Sequence, residues 1–103
     1  MEYDRYHRRY LGLTERFQTL FESCESSIRE DDPNRLKYRR NMAMLLDLFE
    51  KVVTLAFDIT AMHRNNPNLG GLDHQMMTVC NLLSPLVAKL KKLERAITSA
   101  PSR

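Results

Sequence analysis

The strongest apolar pattern in the chain runs from Asn41 to Met62, with the sequence NMAMLLDLFEKVVTLAFDITAM. At about 100° per residue on a helical wheel, its apolar side chains cover an arc of roughly 220°. The polar residues fall on one narrow stripe, which consists of Asp47, Glu50, Lys51, Thr54 and Asp58. A surface helix needs an apolar face of only about 100° or somewhat more, so this segment predicts a helix that is covered from at least two sides.

Three segments of the chain repeat apolar residues at steps of three and four, which is the spacing of a bundle or coiled-coil helix. They predict helices over 2–30, over 33–64 and over 72–98. The apolar stripe of the first helix is Tyr3, Tyr6, Tyr10, Leu13, Phe17, Leu20 and Cys24. That of the second is Tyr38, Met42, Leu45, Phe49, Val52, Ala56 and Ile59. That of the third is Leu72, Met76, Val79, Leu83, Leu86, Leu90, Leu93 and Ile97.

Two short segments rich in helix-breaking residues separate these helices. The first is Asp31–Pro33. Asp32 is a good N-cap, and Pro33 suits the first helical position because an N–H at that position has no partner within the helix and proline has none. The second is Asn65–Gly71, NNPNLGG. Loops this short place consecutive helices antiparallel. The predicted fold is therefore all-α, an elongated up-down-up three-helix bundle in which residues 1–103 form one domain.

Two residues interrupt otherwise regular helical patterns. Gly12 is followed by Thr14, which could cap a new helix, and Ser84–Pro85 could begin a separate fourth helix. The apolar spacing stays in phase across both places, so it favours one continuous first helix and one third helix kinked at Pro85.

The composition is typical of a globular protein, and we recognise no targeting signal in the sequence. Hydrophobic residues make up 43% and charged residues 28% of the chain, which argues against wholesale disorder. The first residues do not resemble a signal peptide, and two cysteines are too few for a disulfide scaffold, so we expect an intracellular, reduced protein in the cytoplasm or nucleus. Charged residues interrupt the only long apolar segment, and no membrane partner is expected. A whole protein and a fragment of a longer one both fit the sequence.

No pattern of catalytic or cofactor-binding residues is present in the sequence. It lacks nucleophile-elbow, Walker and dinucleotide fingerprints, so we expect no enzyme activity, no cofactor and no small-molecule substrate. His7, His63 and His74 belong to the same end of the predicted bundle, but their spacing is not that of metal ligands. Cys24 and Cys80 fall on inward positions, where cysteine packs as a small apolar residue.

The surplus apolar surface of the second helix predicts a protein-docking site. A helix in a lone three-helix bundle buries one stripe, and this helix has apolar residues on both borders of that stripe. One border carries Leu46, Val53 and Phe57, and the other carries Met44, Leu48, Leu55 and Met62. The predicted function is a non-enzymatic interaction module, an oligomerising subunit or an adaptor, whose partner is another protein or a second copy forming a homodimer.

A basic patch supports an alternative function, nucleic-acid binding. Residues 35–40 and 89–95 lie at one end of the predicted bundle and together carry Arg35, Lys37, Arg39, Arg40, Lys89, Lys91, Lys92 and Arg95. Such a patch could contact phosphates. The acidic residues that end the first helix, Glu22, Glu25, Glu30 and Asp31, stand next to this patch and offset much of its charge.

Overall fold

The protein is an all-α bundle of three long helices. The computed structural model describes residues 2–30, 34–64 and 72–99. Within these residues the helices are α1 (Glu2–Ile28), α2 (Leu36–Arg64) and α3 (Leu72–Ser99), and no strand is present. All three helices pack against one another, which confirms the predicted fold class.

Helix α1 runs without interruption past Gly12. A Cβ added at this glycine would contact nothing within 4 Å, so the position faces solvent, as the helical wheel predicts. The Thr14 hydroxyl donates to the Leu11 carbonyl (2.9 Å) and does not cap a new helix. The helix ends at Ile28, two residues earlier than predicted, and a tighter turn follows in which the Glu30 N–H donates to the Ser27 carbonyl (3.3 Å).

Helix α2 begins at Leu36, and the prediction that it starts at Pro33 is wrong. Asn34 lies in a turn, and Arg35 has a φ of 50°, in the left-handed region. The Arg35 carbonyl accepts the Arg39 N–H (2.9 Å), which is the first bond of the helix and makes Arg35 the N-cap. Residues 31–33, including the predicted cap Asp32, lie outside the described part of the chain.

Helix α3 is continuous through Pro85, so the prediction of one helix rather than two is confirmed. Pro85 has no N–H to donate to the carbonyl four residues earlier. One residue before it, the Ser84 hydroxyl donates to the Cys80 carbonyl (2.5 Å). A bend of the helix at this proline stays a prediction.

The core contains members of the predicted heptad stripes of all three helices and, in addition, Phe21 of α1 and the α2 border residues Leu48 and Leu55. It contains Leu13, Phe17, Phe21, Cys24, Leu45, Leu48, Val52, Leu55, Ile59, Leu86 and Leu93. Tyr6, Tyr10, Tyr38 and Met42 are among the half-buried residues packed against it. Since each fully buried side chain of this size is worth about 1.5–3 kcal/mol, this cluster is the main source of stability.

Side-chain contacts fix how the helices run past each other. Between α1 and α2, Lys37 pairs with Glu30 (2.9 Å), whereas Phe49 lies against Phe17 (6.4 Å between ring centroids), so residue numbers fall along one helix as they rise along the other. Between α1 and α3 the numbers rise together: the Tyr10 hydroxyl donates to the Leu82 carbonyl (2.6 Å), and farther along Lys92 pairs with Glu25 (3.4 Å). The principal extents of 56 × 24 × 14 Å are those of an elongated bundle.

A polar contact holds α1 and α2 together near their connection. Ser27 is 4% exposed, and its hydroxyl donates to the Ser23 carbonyl (2.6 Å). The Asn41 amide donates to the Ser27 hydroxyl oxygen (2.9 Å). Because a buried hydroxyl without partners is costly, this pair favours one register of the two helices.

Two residues of α3 predicted to face inward are exposed. Cys80 is on the surface, and Met76 is 59% exposed. On the helical wheel, both residues lie to one side of the buried face of α3, which carries Leu86 and Leu93. The other two helices therefore do not cover them. Cys24 is fully buried, as predicted. In the part of the chain that is described, no helix combines the length and apolar character required to cross a membrane.

Candidate functional site

One apolar border of α2 lies beside α1. A hollow of about 330 Å³ between these two helices is lined by Arg16, Leu20, Ala43, Met44, Asp47, Leu48 and Lys51. Leu48 and Leu55, which were candidates for partner binding, are each 3% exposed and belong to the core. These two residues are therefore not available to a partner, because α1 covers this border. Met44 remains 50% exposed at its edge, and the side chain of Met62 lies outside the described residues.

The opposite border of α2 carries the exposed apolar residues. Leu46 is 49% exposed, Phe57 is 58% exposed, and Val53 between them is half-buried. We call these three residues the α2 strip. Each follows directly after a residue of the core stripe, so α2 carries two adjacent heptad stripes of which only one is covered.

A neighbouring set of apolar residues lies on α3. Lys89 and Lys92 of this helix stand over the ring of Phe21, 5.9 and 5.7 Å from its centroid, and so mark the side that faces α1. On the other side Leu83 and Val87 are half-buried. We call these two residues the α3 wall. They line a hollow of about 380 Å³ together with Val79, Cys80, Ser84, Ala88 and Lys91.

The α2 strip and the α3 wall lie at the same level of the bundle. Phe17 contacts Phe49 and its neighbour Gln18 accepts a hydrogen bond from Lys89, so residues 49 and 89 stand at similar heights along α1. Residues 46–57 therefore run alongside about 81–92 in the opposite direction, at about 1.5 Å per residue.

Since α1 covers one side of the α2–α3 pair, we infer that the strip and the wall both face the uncovered side, and we call the space between them the α2–α3 groove. The hollow beside the wall is itself lined by residues of α3 alone. A groove between two helices with apolar sides can accept a further helix, which would complete a four-helix bundle.

One charged residue of the polar stripe lies next to the α2 strip. Glu50 is exposed and occupies the heptad position between Leu46 and Val53. The adjacent cation, Lys51, pairs with Asp47 (3.4 Å). Among residues 2–30, 34–64 and 72–99, no cation forms an ion pair with Glu50. The middle of the strip thus presents a carboxylate that the described part of the chain does not neutralise.

Half of the candidate nucleic-acid residues are engaged within the bundle. Lys37 and Lys92 pair with glutamates of α1, and Lys89 donates to Gln18. The Arg35 guanidinium donates to the Ile97 carbonyl near the end of α3 (3.5 Å). The other four members of the set, Arg39, Arg40, Lys91 and Arg95, are exposed, as are the paired Lys37 and Lys92.

The groups with perturbed pKa values lie in or against the core. Burial raises the pKa of the Tyr10 hydroxyl and that of the Cys24 thiol. Burial also raises the pKa of Tyr38, with Cys24 adding to the rise and Arg35 opposing it. These shifts follow from desolvation in the packed core and do not mark the groove.

The described residues contain no group of three or more potential metal ligands. His7 is exposed, and its ring stacks on that of Tyr10 (6.4 Å between centroids). The side chains of His63 and His74 lie outside the described residues.

The contribution of α3 to the groove was missed in the sequence. Its apolar residues were assigned to a single buried stripe, and Val87 was not singled out. A signal was available in the spacing: Met76, Cys80, Leu83 and Val87 follow one another at steps of three and four, as a second stripe would.

The chain matches no protein-family model, and comparisons with curated protein sequences and with solved structures also return no match.

Proposed function

We propose that this chain is a helical protein–protein interaction module that receives an α-helix in the α2–α3 groove. The partner helix belongs to another protein or to a second copy of the chain. The proposal depends above all on the exposure of Leu46 (49%) and Phe57 (58%) on a helix whose neighbouring stripe is fully packed. Scattered exposed apolar residues are common on proteins, but a row of them along a groove is typical of an interface.

The chemistry of the groove supports recognition by packing. Its sides are apolar over about two heptads, and helix-in-groove binding uses anchors at this spacing. Each anchor that becomes fully buried contributes about 1.5–3 kcal/mol, and Leu46 and Phe57 each have about half of their surface still to lose. Two or three such anchors contribute about 1.5–4.5 kcal/mol on this basis, so a partner helix also needs the contacts of the α3 wall to offset the cost of association.

Nucleic-acid binding is the weaker candidate for this chain. Lys37 and Lys92 pair with glutamates of α1, which offsets part of the charge that phosphates would meet, and Lys89 is held by Gln18. A gel shift at low salt with single- and double-stranded DNA and RNA tests it directly. We expect no shift, and a shift that Arg39→Glu with Lys91→Glu abolishes would support nucleic-acid binding instead.

The interaction function is tested with two double variants that carry the same chemical change. Leu46→Asp with Phe57→Asp places charges in the strip. Leu11→Asp with Met77→Asp does the same at residues that are 50% and 62% exposed elsewhere on the surface. Circular dichroism checks that both variants remain helical. Light scattering then gives the molar mass, to be compared with 12.1 kDa for one chain.

If the wild type is larger than one chain, we expect the strip variant alone to fall to 12.1 kDa. If the wild type is a single chain, it is used to select binders from a yeast-displayed library of amphipathic helical peptides. The strip variant should bind the selected peptides about 10- to 100-fold more weakly, because each of the two half-exposed anchors loses about 0.75–1.5 kcal/mol of burial. The proposal fails if the chain is a monomer that selects no helix, or if both variants lose binding equally.

A further inference from the structure

We infer that the helix received in the α2–α3 groove is α2 of a second copy of this chain. The two copies form a symmetric dimer in which the α2 strip of each copy packs on the α3 wall of the other. This inference rests on the proposed function and names the partner. It follows from the shapes, the heights along the bundle and the charges of the two surfaces.

The strip and the wall are complementary in shape. The strip presents two large side chains, Leu46 and Phe57, which are 49% and 58% exposed. The wall borders a hollow of about 380 Å³ that no residue of α2 lines, so α2 of the same chain does not fill it. Because helices pack by placing the side chains of one into the gaps of the other, a strip from a second copy fits this hollow.

A two-fold axis parallel to the bundle brings the two surfaces together at the correct height. Such an axis places α2 of one copy over α3 of the other without a shift along the bundle. The strip and the wall stand at the same level within each chain, so they also do so across the interface. At about 1.5 Å per residue, Phe57 stands level with the turn between Cys80 and Leu83 of the other copy, and Val53 stands level with the turn between Leu83 and Val87.

The same arrangement brings two opposite charges together. Glu50 and Lys91 are both exposed, and neither forms an ion pair within residues 2–30, 34–64 and 72–99. Lys91 lies at the hollow. Across the interface it is about three residues, or about 4.5 Å along the axis, from the height of Glu50, which both side chains can span. Symmetry forms this pair twice, and such complementarity favours a second copy as the partner.

The other symmetric dimer lacks this complementarity. A two-fold axis perpendicular to the bundle packs α2 antiparallel on α2. When Leu46 meets Phe57 there, the two Glu50 carboxylates lie about 4.5 Å apart along the axis. Like charges then meet in an apolar contact, which opposes association. Only the dimer of α2 on α3 covers the strip and the wall of each copy and also pairs the two charges.

The first measurement is the mass of the full chain as a function of its concentration. We expect sedimentation equilibrium between about 10 and 500 µM to show a reversible equilibrium between 12.1 kDa and twice that mass. Cys80 lines the hollow, so its alkylation by iodoacetamide should slow as the dimer fills. The dissociated chain still reacts.

A charge swap between copies then tests the contact itself. Glu50→Lys and Lys91→Glu should each raise the dissociation constant of the dimer at least tenfold, because each homodimer then contains two like-charge pairs. An equimolar mixture of the two variants should recover the wild-type dimer fraction, since both pairs match in the mixed dimer. A contact within one chain, or between two α2 helices, gives no such recovery.

Two control variants make the same charge changes elsewhere on the same helices. Asp58→Lys and Arg95→Glu alter exposed residues of α2 and α3 outside the strip and the wall. Alone or mixed, they should change the dissociation constant by less than about threefold, because isolated surface charges contribute little. Circular dichroism checks that all four variants remain helical.

The outcomes separate this inference from the proposed function. If the chain stays at 12.1 kDa at the highest concentration but selects a helical peptide through the strip, the inference is overturned and the proposed function stands. The same holds for a dimer that the strip variant dissociates but that the mixture of charge variants does not restore. If the chain is a monomer that selects no helix, or a dimer that the strip variant leaves intact, both are overturned.

Discussion

A comparison of three leucines tests the distinction between packed core and open groove. Leu93 is 0% exposed in the core, whereas Leu46 in the strip is 49% exposed and Leu11 on α1 is 50% exposed. Replacing a buried leucine by alanine costs about 2–5 kcal/mol, because apolar contacts are lost and a cavity remains. A leucine that is only half covered has about half of the 1.5–3 kcal/mol of burial to lose and leaves no enclosed cavity, so we expect about 1 kcal/mol.

These values translate into urea unfolding followed by circular dichroism. With a slope of about 1.5 kcal/mol per M, Leu93→Ala lowers the midpoint by about 1.3–3.3 M. Leu46→Ala and Leu11→Ala each lower the midpoint by about 0.7 M or less. Repeating the measurement at a tenfold lower protein concentration separates folding from association, since only an oligomer changes its midpoint on dilution.

The proposed function predicts different effects for the two exposed leucines. We expect Leu46→Ala to weaken the binding of a helix, and we expect Leu11→Ala to leave it unchanged because Leu11 lies on a helix that does not form the groove. A loss of stability for Leu46→Ala as large as that for Leu93→Ala, independent of protein concentration, would refute the reasoning. It would mean that Leu46 is a core residue and that the groove is closed.

Further predictions concern the buried groups. Cys80 is alkylated by iodoacetamide in the native state while buried Cys24 reacts only on unfolding, and equal labelling rates measured by mass spectrometry would contradict this assignment. Burial raises the pKa of Tyr10 above its ordinary value of 10.0, so the folded state keeps this proton longer than the unfolded state. Ionisation of Tyr10 therefore leaves the free energy of unfolding unchanged below about pH 10 and lowers it above that pH. Urea titrations between about pH 8 and 11 should show a steeper fall for the wild type than for Tyr10→Phe. Asn41→Ala removes the hydrogen bond to Ser27 (2.9 Å) and costs about 0.5–1.5 kcal/mol. In a double-mutant cycle, the variant that combines Asn41→Ala with Ser27→Ala should lose less stability than the two single variants lose in total. If the two losses are fully additive, the bond contributes nothing.

The helices themselves were largely predictable because their pattern is redundant. The stripe of α1 keeps its phase over its whole length, and its central members Leu13, Phe17 and Cys24 are all buried. A single unfavourable residue such as Gly12 costs about 1 kcal/mol and cannot outweigh that many core contacts. Continuity through Pro85 follows from the same argument, since Leu86 and Leu93 hold the residues after it in the core.

The start of α2 was not predictable from local rules. Those rules favour Pro33 as the first helical position, whereas the helix begins at Leu36 after Arg35 adopts a φ of 50°. The guanidinium of Arg35 reaches the Ile97 carbonyl of α3 (3.5 Å), a contact between residues far apart in sequence. A propensity of a few tenths of a kcal/mol is easily overridden by such tertiary contacts.

The exposure of the two borders of α2 was predicted only in part. The width of the apolar arc of α2 indicates that surface is left over, but it does not tell which border remains open. Which border stays open depends on where α1 and α3 pack. Their packing leaves Leu46 and Phe57 exposed and buries Leu48 and Leu55. The α3 wall was not predicted, because a helix with one buried stripe and a helix with an additional half-buried border have similar apolar sequence patterns.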